Sequence, residues 1–139
     1  MFERIAIAHD GSDGAASAFA TALDLAKRHK ARLFMVSVEE LPRFPTTVDE
    51  VVEDRDEADH RFARLIGICE AQARMKRVKV EPHVVPGHAV TSIVEFVERN
   101  QCDLLVVGFM GHSALYNRLI GGTTDRLVEL APCAVLVVK

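Results

Sequence analysis

The sequence has few cysteines, no long apolar run and no excess of positive charge. Cys69, Cys102 and Cys133 are the three cysteines among 139 residues. They lie far apart and form no CxxC or Cys/His cluster, so neither a zinc site nor a disulfide framework is supported. No apolar stretch approaches the ~20 residues that span a bilayer, which argues against membrane insertion. The opening MFERIAIAHD carries an acid and only a short apolar run, which argues against a signal peptide. A reduced, cytoplasmic protein is the simplest reading. Seventeen basic residues against 20 acidic ones give a formal charge of −3. That balance argues against a broad nucleic-acid footprint, though not against a small basic pocket.

Several catalytic signatures are missing too. There is no G-x4-G-K-[ST] and therefore no P-loop. Gly11-Ser12-Asp13-Gly14 does not have the G-x-G-x-x-G spacing of the dinucleotide fingerprint. No G-x-S-x-G elbow is present to seat a hydrolase nucleophile. A phosphoacceptor domain of the same fold class would want an aspartate ending the third strand, where this chain has Val85-Pro86-Gly87.

What is present is an ordinary globular balance, 49% hydrophobic and 27% charged. The length suits one domain over residues 1–139. Apolar runs closed by turn residues predict strands over Arg4–His9, Arg32–Val38, Val78–Val85, Asp103–Val107 and Ala134–Val138. Between them, apolar residues at 3–4 spacing predict helices over Asp13–His29, Val48–Arg77, Ala89–Asn100 and Thr123–Leu130. Pro42 and Pro45 make Glu39–Thr47 a loop, and Pro86-Gly87 should stop the third strand. Strict β/α alternation predicts an α/β fold. It would be a doubly wound five-stranded parallel sheet, strand order 3-2-1-4-5, with helices on both faces. The strands lack apolar/polar alternation, as expected when both faces are buried.

In such a sheet, ligands bind beyond the strand carboxyl ends, where the strand order reverses. That point lies between the first and fourth strands. It sets His9-Asp10-Gly11-Ser12 opposite Gly108-Phe109-Met110-Gly111. Ten residues after Gly111, Gly121-Gly122-Thr123-Thr124 opens a helix. Glycines let a ligand approach the backbone, and free amides at a helix start bind anions. Together these parts would hold a phosphate chain. The plain alternative is that the glycines serve only turns and caps.

The motif Gly108-x2-Gly111-x9-Gly121, the turn Asp10-Gly11-Ser12 and the ending Ala131–Val138 resemble the universal stress protein family, from Arg4 to Lys139. The resemblance implies an adenine nucleotide ligand, ATP, ADP or AMP, with or without magnesium. By this resemblance, Ala8 and His9 border the base, and Asp10 and Val38 line the adenine and ribose side. Val107 and Gly108 would border the ribose. Gly111, Gly121, Gly122, Thr123 and Thr124 would hold the phosphates. One position departs from the pattern: Gly122 stands where the family usually has a hydroxyl or amide side chain. The amide survives there, but the side-chain contact to the terminal phosphate is lost.

Other features have simpler readings. Asp10 could instead cap its own turn. The acid-rich stretch from Glu39 to Arg61 reads as a solvated helix face. Arg74-Met75-Lys76-Arg77 closes a helix, where cations suit the dipole. His112 could approach a phosphate but reads better as a surface residue, and Arg118, on the linker with Asn117, reads equally as a phosphate neighbour or a solvated arginine. Ala134–Val138, at the sheet edge and wholly apolar, invites pairing into a homodimer. The functional expectation is a nucleotide-responsive stress-response binding module. The alternatives are a slow ATPase using the same pocket and an interaction dimer with an empty pocket.

Overall fold

The computed structural model describes residues 1–40, 47–109 and 122–139. Five strands, β1 (Arg4–Ala8), β2 (Arg32–Glu40), β3 (Val80–Gly87), β4 (Leu104–Gly108) and β5 (Ala134–Val138), form one sheet. Among the described residues four helices alternate with them: α1 (Asp13–His29), α2 (Val48–Met75), α3 (Ala89–Arg99) and α4 (Gly122–Leu130). The sheet is parallel, in the expected order β3-β2-β1-β4-β5.

Burial on both faces explains the unbroken apolar strands. Ile5, Ile7, Leu33, Met35, Leu104 and Val106 pack beneath α1 and α2, against Phe19, Leu23, Cys69 and Ala73. Their neighbours Ala6, Phe34, Val36, Leu105 and Val107 face α3 and α4, meeting Ile93, Phe96, Val97 and Leu127. Each fully buried Leu, Ile or Phe stabilises the fold by about 1.5–3 kcal/mol relative to exposure.

The third strand differs most from expectation. It begins at Val80, two residues late, and runs through Pro86 to Gly87 instead of stopping before them. Among the described residues β3 lies at the sheet edge and pairs only with β2. Pro82 and Pro86 need no outward amide there, so neither breaks the strand. The extension carries β2 on to Glu40, opposite Gly87. The expected loop at Pro42 and Pro45 falls outside the described residues, as do Gly111 and Gly121.

Three helices end without glycine. Lys30, Arg77 and Gln101 take left-handed φ angles of 53°, 58° and 52°. The next amide then turns back on its helix: Ala31 to Ala26, Val78 to Ala73 and Cys102 to Val97, at 2.9–3.0 Å. These bonds satisfy carbonyls that a helix end would otherwise leave free. At its start, α2 is closed by reciprocal bonds between Thr47 and Glu50. Its first turns carry exposed Val48 and Val52, while Phe62, Cys69 and Ala73 reach the core. The acid-rich stretch is therefore largely a solvated helix face.

Candidate functional site

The sheet opens at its carboxyl end. The β1–β4 ladder stops at Ile7 and Val106. Beyond that level β1 stays with β2 through Ala8 and Val36, and β4 stays with β5 through Gly108 and Val138. The two strand ends part, leaving a cleft at the topological switch point. It is open, about 1660 Å³, and runs out along α2. That exceeds an ordinary small-molecule pocket because of the extension towards α2.

Eight of the residues singled out from the sequence line this cleft: Ala8, His9, Asp10, Val38, Val107, Gly108, Thr123 and Thr124. Gly122 stands beside them as the first residue of α4. Val36, Ile93 and Leu127 add an apolar floor.

His9 is fixed from four directions. Its amide donates to the Val36 carbonyl at 3.0 Å, and its own carbonyl accepts the Ser37 hydroxyl at 2.7 Å. Its ring lies 5.9 Å from that of Phe19. Nδ1 accepts the Gly11 amide at 3.1 Å, so the neutral ring carries its proton on Nε2. His9 is only 4% exposed. Burial pushes its pKa below the ordinary value of 6.5, against an opposing pull from the Asp10 carboxylate. A neutral, immobile imidazole suits a wall better than a proton shuttle.

The Asp10 carboxylate accepts the Ser12 amide at 2.9 Å. This is the local turn role that an Asp-Gly-Ser sequence favours. Ser12 then caps α1, accepting the Ala15 amide at 3.1 Å. The turn needs Gly11, whose φ is +85°.

Gly108 has a different reason to be glycine. A Cβ there would lie 2.7 Å from the Gly14 carbonyl carbon and 2.8 Å from its oxygen. β4 thus passes directly against the start of α1, and the missing side chain serves packing before it serves a ligand. At α4, Thr124 is buried and donates its hydroxyl to the Gly108 carbonyl at 2.9 Å. Thr123 is exposed to the cleft. Among the described residues nothing lies within 4 Å of where a Cβ on Gly122 would stand. The amides of this first helical turn can bind an anion at the cleft's edge.

Sequence reasoning missed Ser37 and Gly14. A lone serine inside the apolar run of β2 was a usable signal for the first. The second was invisible, because only the packing of α1 on β4 gives Gly14 its role. None of the cysteines is activated: burial pushes Cys69 and Cys102 to about 11 and raises Cys133. Among the described residues no cluster of His, Cys, Asp or Glu is placed to hold a metal ion by itself. No described helix is long and apolar enough to cross a membrane.

With this geometry in view, comparison with known proteins is specific. The model of the universal stress protein family matches residues 1–139. A universal stress protein of Thermus aquaticus is 30% identical over 142 residues, covering 100% of both chains. The structure of universal stress protein UspA from Lactobacillus plantarum superposes with a TM-score of 0.88 at 25% identity, covering 99% of this chain and 97% of that one. A universal stress protein solved in complex with cAMP has a TM-score of 0.79 at 23% identity, over 99% of this chain and 97% of its own.

Proposed function

The chain belongs to the universal stress protein family, and from that premise we propose that its switch-point cleft binds an adenine nucleotide. The observation that carries this reading is the parting of β1 and β4 with the start of α4 set at the opening. An apolar floor of Val36, Ile93 and Leu127 suits a base, and the amides of Gly122 and Thr123 suit a phosphate. The cAMP held by a relative of the same fold supports this ligand class.

In this reading Ala8, His9 and Val38 border the adenine, and Asp10, Val107 and Gly108 face the ribose. Gly111, Gly121, Gly122 and Thr123 hold the phosphates. Thr124 acts from behind, through Gly108. The ligand is ATP, ADP or AMP, and Gly122, which offers no side chain to a terminal phosphate, bears on the choice among them. A magnesium ion would be held mainly by the phosphate oxygens. The protein would be a cytoplasmic homodimer paired through β5.

Binding without turnover fits the site better than hydrolysis. Hydrolysis needs a base positioned on water. Asp10 is engaged by the Ser12 amide, and His9 is buried with Nδ1 taken by Gly11. Mass analysis of nucleotide released from freshly purified protein, with calorimetry for ATP, AMP and cAMP, tests the reading. Bound adenine nucleotide without product supports it. Steady turnover would make the protein a slow ATPase, and no binding at all would leave an interaction dimer with an empty pocket.

A further inference from the structure

At the amino end of the sheet, opposite the nucleotide cleft, lies a second concavity of about 570 Å³. The ends of α1 and α2 and the starts of β2 and β3 form it. Five cations line it, Lys27, Lys30, Arg32, Arg77 and Lys79, against one acid, Glu81. Arg32 and Glu81 satisfy each other through a fork of bonds at 2.9–3.2 Å. Among the described residues none of the other four cations enters an ion pair. A chain of net charge −3 thus gathers around one small hollow four cations with no ion-pair partner among the described residues, Lys79 acting on Glu81 at longer range.

Helix dipoles account for part of this. Lys27 stands in the last turn of α1, where a cation offsets the partial negative charge. They do not account for the backbone. Lys30 and Arg77 hold left-handed φ angles of 53° and 58°, which glycine would adopt without strain. Both strained positions bring a cation to the same hollow. Gln101 ends α3 in the same left-handed way outside the hollow, so the conformation serves helix ends in general, and it is the charge gathered here that sets this place apart.

We propose that this hollow is a binding site for a small oligophosphate anion, separate from the nucleotide cleft. Its size suits a compact ligand. Its charge calls for several anionic oxygens in a short span, and lysine and arginine are the usual phosphate partners. No aromatic residue among those described lines it, so nothing there stacks on a base or ring. The cations converge on a concavity instead of tracking a stripe, which disfavours a nucleic-acid backbone.

The test is titration of inorganic tripolyphosphate into 15N-labelled protein at low salt. Amide shifts at Ala31, Val78 and Lys79, with little change at Gly11 and Gly108, are expected. A Lys30→Gly/Arg77→Gly double variant should weaken binding about tenfold. It should also melt higher by roughly 2–5 °C, since glycine relieves both left-handed positions. Lower affinity with a higher melting point separates a ligand site from a purely structural cluster. Three outcomes would overturn the proposal. These are no shifts at this end of the sheet, an unchanged affinity in the variant, and shifts from a short DNA duplex where tripolyphosphate gives none.

Discussion

The hydroxyl of Thr124 donates to the carbonyl oxygen of Gly108 at 2.9 Å, tying the first turn of α4 to the end of β4. The two residues are 16 positions apart. Their bond sets where the helix start stands relative to the strand end. Thr124→Val keeps the shape but loses the donor, leaving a partly buried carbonyl without it. The expected cost is about 1–2 kcal/mol of stability. Adenine nucleotide affinity should fall with it, while Thr124→Ser retains both. Urea denaturation and calorimetry on the two variants check this. Equal loss in valine and serine variants would assign the effect to packing.

Gly108 and Gly122 should respond oppositely to a side chain. At Gly108 a Cβ meets the Gly14 backbone at 2.7 Å, so Gly108→Ala should destabilise by roughly 1–3 kcal/mol. Loss of nucleotide binding in that variant would report displacement of α1 as much as a filled pocket. At Gly122 no atom of the described residues lies within 4 Å of a Cβ and no left-handed φ is recorded, so serine should fit. One added hydrogen bond to a charged oxygen should tighten ATP about ten- to a hundredfold and leave AMP unmoved. The ATP-to-AMP affinity ratio with magnesium is the readout. A constant ratio would turn position 122 away from the terminal phosphate.

Stability should depend on pH through His9. Its folded pKa lies below the ordinary 6.5 because burial disfavours the charged ring. Between the two values the unfolded chain binds more protons than the folded one. The His9 contribution is therefore complete above pH 6.5 and is lost as pH falls through the folded value. Protonation also removes the acceptor that holds the Gly11 amide. Urea midpoints measured from pH 8 down to roughly 5 should fall less in His9→Asn than in wild type. Equal slopes would locate the dependence elsewhere.

The edge of β5 offers a test of the proposed dimer. Val138 accepts the Phe109 amide, so its carbonyl points inward to β4. Backbone groups alternate in direction along a strand, so the amide of Val137 points outward. Val137→Pro removes that donor without touching the β4 ladder. Light scattering should show a dimer for wild type and a monomer for the variant. A monomeric wild type at micromolar concentration would end the idea.

Much of this molecule was legible in the linear order of its residues. Helix and strand are local periodicities, and so the helical spacing of Ala15, Phe19, Ala22 and Ala26 and unbroken runs such as Leu104–Val107 gave the β/α alternation, for which right-handed crossovers leave a few sheet orders, 3-2-1-4-5 the natural doubly wound one. The place of the cleft followed, because parallel crossovers have one hand and the switch point comes with the order. What the sequence could not determine were relations between segments. Whether Pro86 ends a strand depends on whether that strand has a second neighbour, and among the described residues β3 has none. Whether Gly108 serves a ligand or a helix depends on the approach of Gly14, 94 positions away by their numbering. Whether Lys27, Lys30, Arg77 and Lys79 are separate helix-end charges or one hollow depends on two helices ending side by side. Contact forces act over a few ångströms, so such roles are decided only where the chain has already been brought together.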